Sequence, residues 1–374
     1  MASLYILQTY LVYLIVMAVL FFTARETART KHFRYLAIGL VFYAIIFGIR
    51  YGVGTDCIQY IKMYDDFARG FEVHQRVEIG YKTLMSIFIS MSLPCWCFMA
   101  FVAFAQLFLI FRALKDKIEL APFIALTFML GCTWLVYSNG MRQTIAFCLF
   151  VLSLYYGEKR NWVVHYGLLV LAILFHKSAM LLLVFYPLLL MNKKSVPSIK
   201  LQYILFIIAF IIGRINIIQD IFVVFEMWSE FFGYDSYVDN FNSGEWNMEL
   251  TFGVGYYINI LLPLLVFKYS YIFRNSGRFT LIYNMFFVGS LLKYAFLTTH
   301  VIQRVNYYFF GFDFIVGAIV MYYLYKNKKL TPLCILCGIY ILLFVGQLYK
   351  MFMNASAYFT IFQIDDYMRL HVKI

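Results

Sequence analysis

Apolar runs of about 15 to 20 residues recur along this sequence from end to end, and a helix of that length crosses most of a ~30 Å hydrocarbon core. A backbone inside a bilayer must satisfy its own hydrogen bonds, so only helices and closed barrels span it. The runs are continuous rather than alternating, which argues against a β-barrel. Charge points the same way: 13% of the 374 residues are charged, against about 25% in soluble domains. The expected fold class is all-α, a polytopic integral membrane helical bundle.

Spans are expected at 4–22, 35–49, 95–111, 121–137, 141–156, 162–175, 179–191, 201–213, 252–267, 279–297, 305–325 and 333–348, about twelve in all. Segment 79–93 is apolar enough to span, yet counting it as a span puts the later basic loops on the wrong side. It is therefore expected to be re-entrant or interfacial, which is tolerated where protein or a water-filled cavity covers it. With that choice, cytoplasmic loops 23–34, 112–119, 157–160, 192–200, 268–278 and 326–329 hold 18 of the 31 Lys/Arg and 4 of the 19 Asp/Glu. The basic bias sets the orientation, and both termini then face outward. It also accounts for the net charge of +12 without nucleic acid.

No long polar linker interrupts the pattern, so 1–374 is expected to form one transmembrane domain, with external loops 50–78 and 214–250 capping a site. The second loop is acidic and aromatic and is expected to hold an interfacial helix near 217–232. Its Trp228, Phe231, Phe232, Tyr234 and Tyr237 suit either an aromatic belt or platforms for sugars. The first apolar run is followed by a basic loop and reads as an uncleaved span. Six of the seven cysteines lie in apolar runs. Cys334 and Cys337 have no second pair, so buried thiols are expected rather than a zinc or redox centre.

Four polar clusters fall at the expected outer face. The first runs from Arg50 through Gly52, Gly54 and Asp56 to Tyr60 and Tyr64. Its glycines allow tight turns and close approach of a ligand. The second is Glu78-Ile-Gly-Tyr81. The third is Asn139-Gly-Met-Arg142-Gln143, where Arg142 and Gln143 open a helix whose unsatisfied N–H groups favour anions. The fourth joins His176-Lys177-Ser178 to His300, Arg304, Tyr307 and Tyr308; His300 and Arg304 share a helical face. A single arginine at a span end ordinarily snorkels to headgroups, and a single loop histidine is ordinarily solvated or hydrogen-bonded. Three outward arginines tied to such clusters instead suit a diphosphate, which guanidinium grips bidentately. Asp313, inside an expected span, needs a partner or an aqueous lining. There is no Walker loop, no HExxH and no GxSxG elbow. No metal or cofactor is expected, and any reaction must use an activated substrate.

These residues resemble the EpsG family of Wzy-like membrane proteins that polymerise exopolysaccharide and O-antigen repeats. The R-x-G-x-G-x-D-x-x-x-Y loop is matched by Arg50, Gly52, Gly54, Asp56 and Tyr60. The E-P-G-[FY]-x-x-L segment is matched from Glu78 to Leu84, with Ile79 in place of proline. The R-Q-x-[IL]-A helix start falls at Arg142 and the H-x-S-[AG] turn at His176. A late arginine before an aromatic pair falls at Arg304. The tail reads FQIDDY at 362–367, where many relatives carry a proline-tyrosine pair.

The resemblance implies a GT-C-like, metal-independent glycosyltransferase of the bacterial cytoplasmic membrane with its site facing outward. Its donor would be a growing glycan on undecaprenyl diphosphate and its acceptor a lipid-linked repeat; a chain-length regulator would be a further partner. On that reading Arg50, Arg142 and Arg304 bind the diphosphate and His176 is the base. Glu78 or Asp56 is the alternative base or orients the acceptor. Gly52, Gly54, Tyr60, Tyr81, Gln143, His300 and Tyr307 contact substrate. A lipid-linked oligosaccharide flippase and a membrane O-acyltransferase of glycans are the other classes. The first would place basic residues at mid-membrane, and the second would need an acyl-donor site on the cytoplasmic loops.

Overall fold

The computed structural model describes residues 2–71, 77–183, 195–214, 253–297, 300–353 and 357–371. These divide into two compact units, Met1–Val184 with Gly317–Ile374, and Phe185–Val316.

The first unit begins with α1 (Ala2–Thr30) and α2 (Phe33–Gly48), then strand β1 (Arg50–Tyr51) and α3 (Cys57–Ala68). There follow α4 (Ile79–Ser90), α5 (Cys95–Ala113), α6 (Ala121–Leu130), α7 (Thr133–Asn139), α8 (Met141–Glu158) and α9 (Trp162–Phe175). Helix α1 packs on α2 and α6, α2 on α5, and α8 lies between α5 and α9. Helix α8 is buried on almost every side, including Phe147, Phe150 and Ser153. Lipid tails are as apolar as leucine, so burial of apolar surface does not by itself drive such helices together; close packing and interhelical hydrogen bonds do. Gln106 of α5 supplies one such tie, its Nε2 donating to Tyr137 O at 3.2 Å and Thr144 Oγ1 at 2.7 Å. Helix α9 begins where the Asn161 side chain accepts from the Val164 N–H. Its outer face, with Val163, Tyr166, Val170 and Leu174 exposed, suits lipid.

The expected span 121–137 is not one helix. The residues from Lys115 to Leu130 and Thr133–Asn139 meet at a 70° bend. Cys132 takes φ +58 there, and the backbone groups at the break are satisfied locally. The Cys132 N–H and the Trp134 indole N–H both donate to Met129 O, at 3.1 and 3.2 Å. Helix α7 therefore ends, at Asn139, beside the start of α8.

In the second unit α10 (Ile199–Ile212) packs against α11 (Val254–Lys268) and α12 (Arg278–Ala295), and α12 packs against α13 (His300–Phe310). Asn306 Nδ2 donates to Gly289 O at 2.9 Å, tying α13 to α12. Helix α14 (Asp313–Lys326) follows after a break at Gly311 and Phe312, and α15 (Leu330–Met353) then belongs to the first unit.

Beyond α15, strand β2 (Phe359–Thr360) and α16 (Ile364–His371) return to the start of the chain. Strand β2 pairs antiparallel with β1, Arg50 opposite Thr360 and Tyr51 opposite Phe359. The Ile361 N–H extends the pairing to Ile49 O at 2.9 Å, and Tyr358 Oη donates to Ile46 O at 2.7 Å. The ring of Tyr367 lies directly over Gly52, whose φ of +66 and lack of a Cβ both permit the contact.

Among the described residues four helical stretches are long and apolar enough to cross a membrane: Tyr5–Thr30, Cys95–Ala113, Ile302–Lys326 (α13 and α14 taken as one) and Leu330–Met351. The bent pair makes a fifth. Of the other expected spans, Phe33–Gly48, Trp162–Phe175, Ile199–Ile212 and Gly255–Lys268 are apolar helices shorter than that length. Segment 79–93 contains the 12-residue α4, only ~18 Å long and short of the ~30 Å core. All seven cysteines are free. Of the six in apolar runs Cys148 is buried, Cys95, Cys97, Cys132 and Cys337 are half-buried, and Cys334 is exposed. The second capping loop, 214–250, its expected helix at 217–232 and its aromatic residues lie outside the described residues, apart from Arg214.

Candidate functional site

Three helix ends of the first unit meet at one carboxylate. Glu78 is the residue immediately before α4, in extended conformation, so its side chain projects back from the helix start. Arg142 is the second residue of α8. His176 terminates α9, where the backbone becomes extended and the chain turns into the short 3₁₀ segment Lys177–Met180. Gly80 allows this meeting: a Cβ there would lie 2.8 Å from Leu174 O, so only glycine lets α4 close on α9.

The geometry is close and asymmetric. Arg142 Nη1 donates to Glu78 Oε2 at 2.6 Å. His176 Nδ1 lies 2.9 Å from Glu78 Oε1, and the Lys177 N–H donates to the same oxygen at 3.3 Å. Burial of Glu78 opposes its ionisation, but the hydrogen bond from His176 and the charge of Arg142 outweigh it. The carboxyl is held at about 2, below its ordinary 4.5. An ionised carboxylate only accepts, so Nδ1 of His176 carries the hydrogen; in the neutral ring Nε2 is then the basic nitrogen. This is the arrangement of an oriented general base.

Tyr60 of α3 hydrogen-bonds Arg142, and its ring centroid is 6.2 Å from that of Tyr81. Tyr81 is fully buried, and its hydroxyl has no hydrogen-bond partner among the described residues. Gln143 is half-buried beside Arg142 in the first turn of α8, which has no side-chain cap. The amino end of α8 carries the positive pole of the helix dipole, which favours an anion nearby. Gly54 takes φ +83 and faces the Asn139 side chain. Asp56 Oδ1 accepts from the Thr55 hydroxyl at 2.8 Å, so it does not join the Glu78 cluster.

Arg50 is placed differently from the expectation of an outward guanidinium. It is 1% exposed. Its Nη1 donates to Phe47 O, and its Nη2 donates to Ser138 O at 3.0 Å. Those carbonyls belong to the last turns of α2 and α7, where main-chain oxygens lack helical partners and the dipole is negative. Arg50 thus ties two helix ends together, and it faces protein rather than open surface.

Arg304 and Tyr307 lie on α13 of the second unit, Arg304 exposed and Tyr307 half-buried. The backbone of His300 begins that helix, and its side chain lies outside the described residues. Positions 300, 304 and 307 share one helical face, as expected. Among the described residues no group of three or more His, Cys, Asp or Glu could hold a metal ion.

Sequence reasoning missed Tyr358, Tyr367 and the whole return of the tail onto the Arg50 loop. No local signal could have found it, because strand partners more than 300 residues apart (Arg50 and Thr360) leave no short-range pattern.

Fold and site define a predominantly helical membrane protein with an arginine and a histidine on opposite oxygens of one buried carboxylate. The EpsG family model matches residues 33–363, most of the chain. The chain belongs to the EpsG family, the Wzy-like polymerases. At that level it is a polysaccharide polymerase of glycosyltransferase type, and it fits a multi-pass protein of the inner membrane. No curated protein and no solved structure matches it.

Proposed function

We propose that this protein transfers a growing glycan from undecaprenyl diphosphate onto a lipid-linked repeat unit at the outer face of the cytoplasmic membrane. The acceptor hydroxyl attacks the anomeric carbon of the donor, and the bond from that carbon to the diphosphate oxygen breaks. The hydroxyl proton passes to Nε2 of His176. Glu78 holds the ring in the required tautomer and stabilises the imidazolium that forms. Arg142, with the positive end of the α8 dipole, stabilises the charge on the departing diphosphate, and in catalysis of this kind such electrostatic stabilisation lowers the barrier most. Asp56, Tyr60, Tyr81 and Gln143 contact the sugars, whereas Gly52 and Gly54 admit the Tyr367 ring and the Asn139 side chain against the main chain. Arg50 serves as a positioning residue that fixes the loop. The chemistry requires no metal.

The observation that carries this reading is the placement of Arg142 and His176 on opposite oxygens of Glu78, at 2.6 and 2.9 Å. An anion grip and a base are thereby fixed side by side. The test is the size distribution of surface polysaccharide in a strain lacking the protein, complemented with wild type or with Arg142→Ala. Single lipid-linked repeats facing outward, with long chains restored only by wild type, are expected. Repeats trapped on the cytoplasmic side would make the protein a flippase. Full-length polymer lacking a substituent would make it an O-acyltransferase.

A further inference from the structure

The contacts of Glu78 are segregated by oxygen. Oε2 meets Arg142 at 2.6 Å, while Oε1 is held by His176 Nδ1 at 2.9 Å and by the Lys177 N–H at 3.3 Å. The donors on Oε1 would therefore remain if Arg142 moved away, so the buried carboxylate would give up one oxygen's contact and keep the other's. The two partners also differ in access. The Arg142 side chain is 27% exposed and that of Glu78 is 5% exposed, so the guanidinium can turn toward an incoming ligand while the carboxylate stays in place. A guanidinium binds carboxylate and phosphate through the same planar fork, so the two compete for one face.

We propose that Glu78 is a specificity-determining gate, an internal carboxylate that occupies the anion seat of Arg142 at rest and yields it to a diphosphate but poorly to a monophosphate. This inference rests on the diphosphate role given to Arg142 above. A ligand gains only the difference between its own contact and the one it replaces. A diphosphate brings more charge and more acceptor oxygens than the single carboxylate oxygen it displaces. A monophosphate brings little advantage over it. Protons do not open the gate at working pH, because the carboxyl ionises near 2. Only a competing anion does.

The test uses the full chain in lipid nanodiscs, titrated calorimetrically with inorganic pyrophosphate and with inorganic orthophosphate. Wild type should bind pyrophosphate at least about tenfold more tightly than orthophosphate. Glu78→Gln keeps the acceptor for His176 and Lys177 but removes the competing charge. Both anions should then bind more tightly, orthophosphate by about tenfold or more, and the preference should shrink toward one. Arg142→Ala should abolish binding in either background. Unchanged or weaker anion binding in a folded Glu78→Gln protein overturns the gate and leaves the diphosphate seat standing. No binding to wild type or Glu78→Gln overturns both. If Glu78→Gln does not fold, infrared difference spectra of wild type decide: pyrophosphate should shift the band of an arginine-paired carboxylate, and an unshifted band on saturation overturns the gate.

Discussion

Arg50 and Arg142 belong to the same unit and both stand near helix ends, yet their charges meet opposite surroundings. Arg50 faces the carbonyl ends of α2 and α7 and is 1% exposed. Its compensation comes from partial charges of backbone that cannot leave. Arg142 faces the amino end of its own helix and a carboxylate, with its side chain 27% exposed. Its compensation comes from one side chain that has other partners. The first arrangement holds protein together, and the second can be exchanged for a ligand. An arginine at a helix carboxyl end is already served; one at an amino end adds to a positive field and calls for an anion.

Substitutions can break this comparison. The largest effect is expected from Arg50→Met, which strands two buried carbonyls at about 1–3 kcal/mol each. Solubilised protein should melt far earlier and accumulate poorly, and a variant as stable as wild type would remove the clamp. Arg142→Ala should leave the protein folded but lower chain extension by about 10²–10³-fold, the range for losing one preorganised donor. Radiolabelled repeat incorporation measures it, and unaltered incorporation would put the two arginines in one class. Gly52→Ala should cost about 1–3 kcal/mol in melting experiments through its positive φ and the Tyr367 ring. Adding Tyr367→Ala should recover the part due to the ring.

Acid sharpens the contrast. The folded carboxyl of Glu78 is depressed, so its contribution to stability is present above the ordinary 4.5 and is lost as pH falls toward about 2. The difference in melting between wild type and Glu78→Gln should therefore shrink across that window and stay level above it. The smallest effect is expected from Asp56→Asn, since the Asp56 carboxylate accepts from the neighbouring Thr55 hydroxyl and stands outside the Glu78 cluster. Incorporation should fall less than about tenfold; a larger loss, beyond what a single neutral contact supplies, would move the base from His176 to Asp56.

Much of this was legible in the sequence because it depended on local pattern. The apolar run at 162–175 is the helix Trp162–Phe175, bounded by the Asn161 cap and by His176. Glu78, Arg142 and His176 stood out as polar residues at the ends of apolar runs, and they do converge. The bend between α6 and α7 was not legible, since a Gly-Cys step inside an apolar run carries no strong break signal. Nor was the burial of Arg50. Its partners are carbonyl oxygens, which every residue has, so side-chain identity could not announce them. The tail was missed for a related reason: β-pairing uses main chain, and its partner is remote in sequence.

That pairing has a consequence for how the protein is made. The helices that carry Glu78, Arg142 and His176 leave the ribosome long before residue 359, and they can enter the membrane and pack as they come. Strand β1 finds its partner only when Phe359 and Thr360 arrive. A product stopped at residue 350 would hold the whole ion cluster yet lack the strand beside Arg50 and the ring over Gly52. The loop at the start of the chain thus gains its strand partner last, and no product that stops short of residue 359 can supply it.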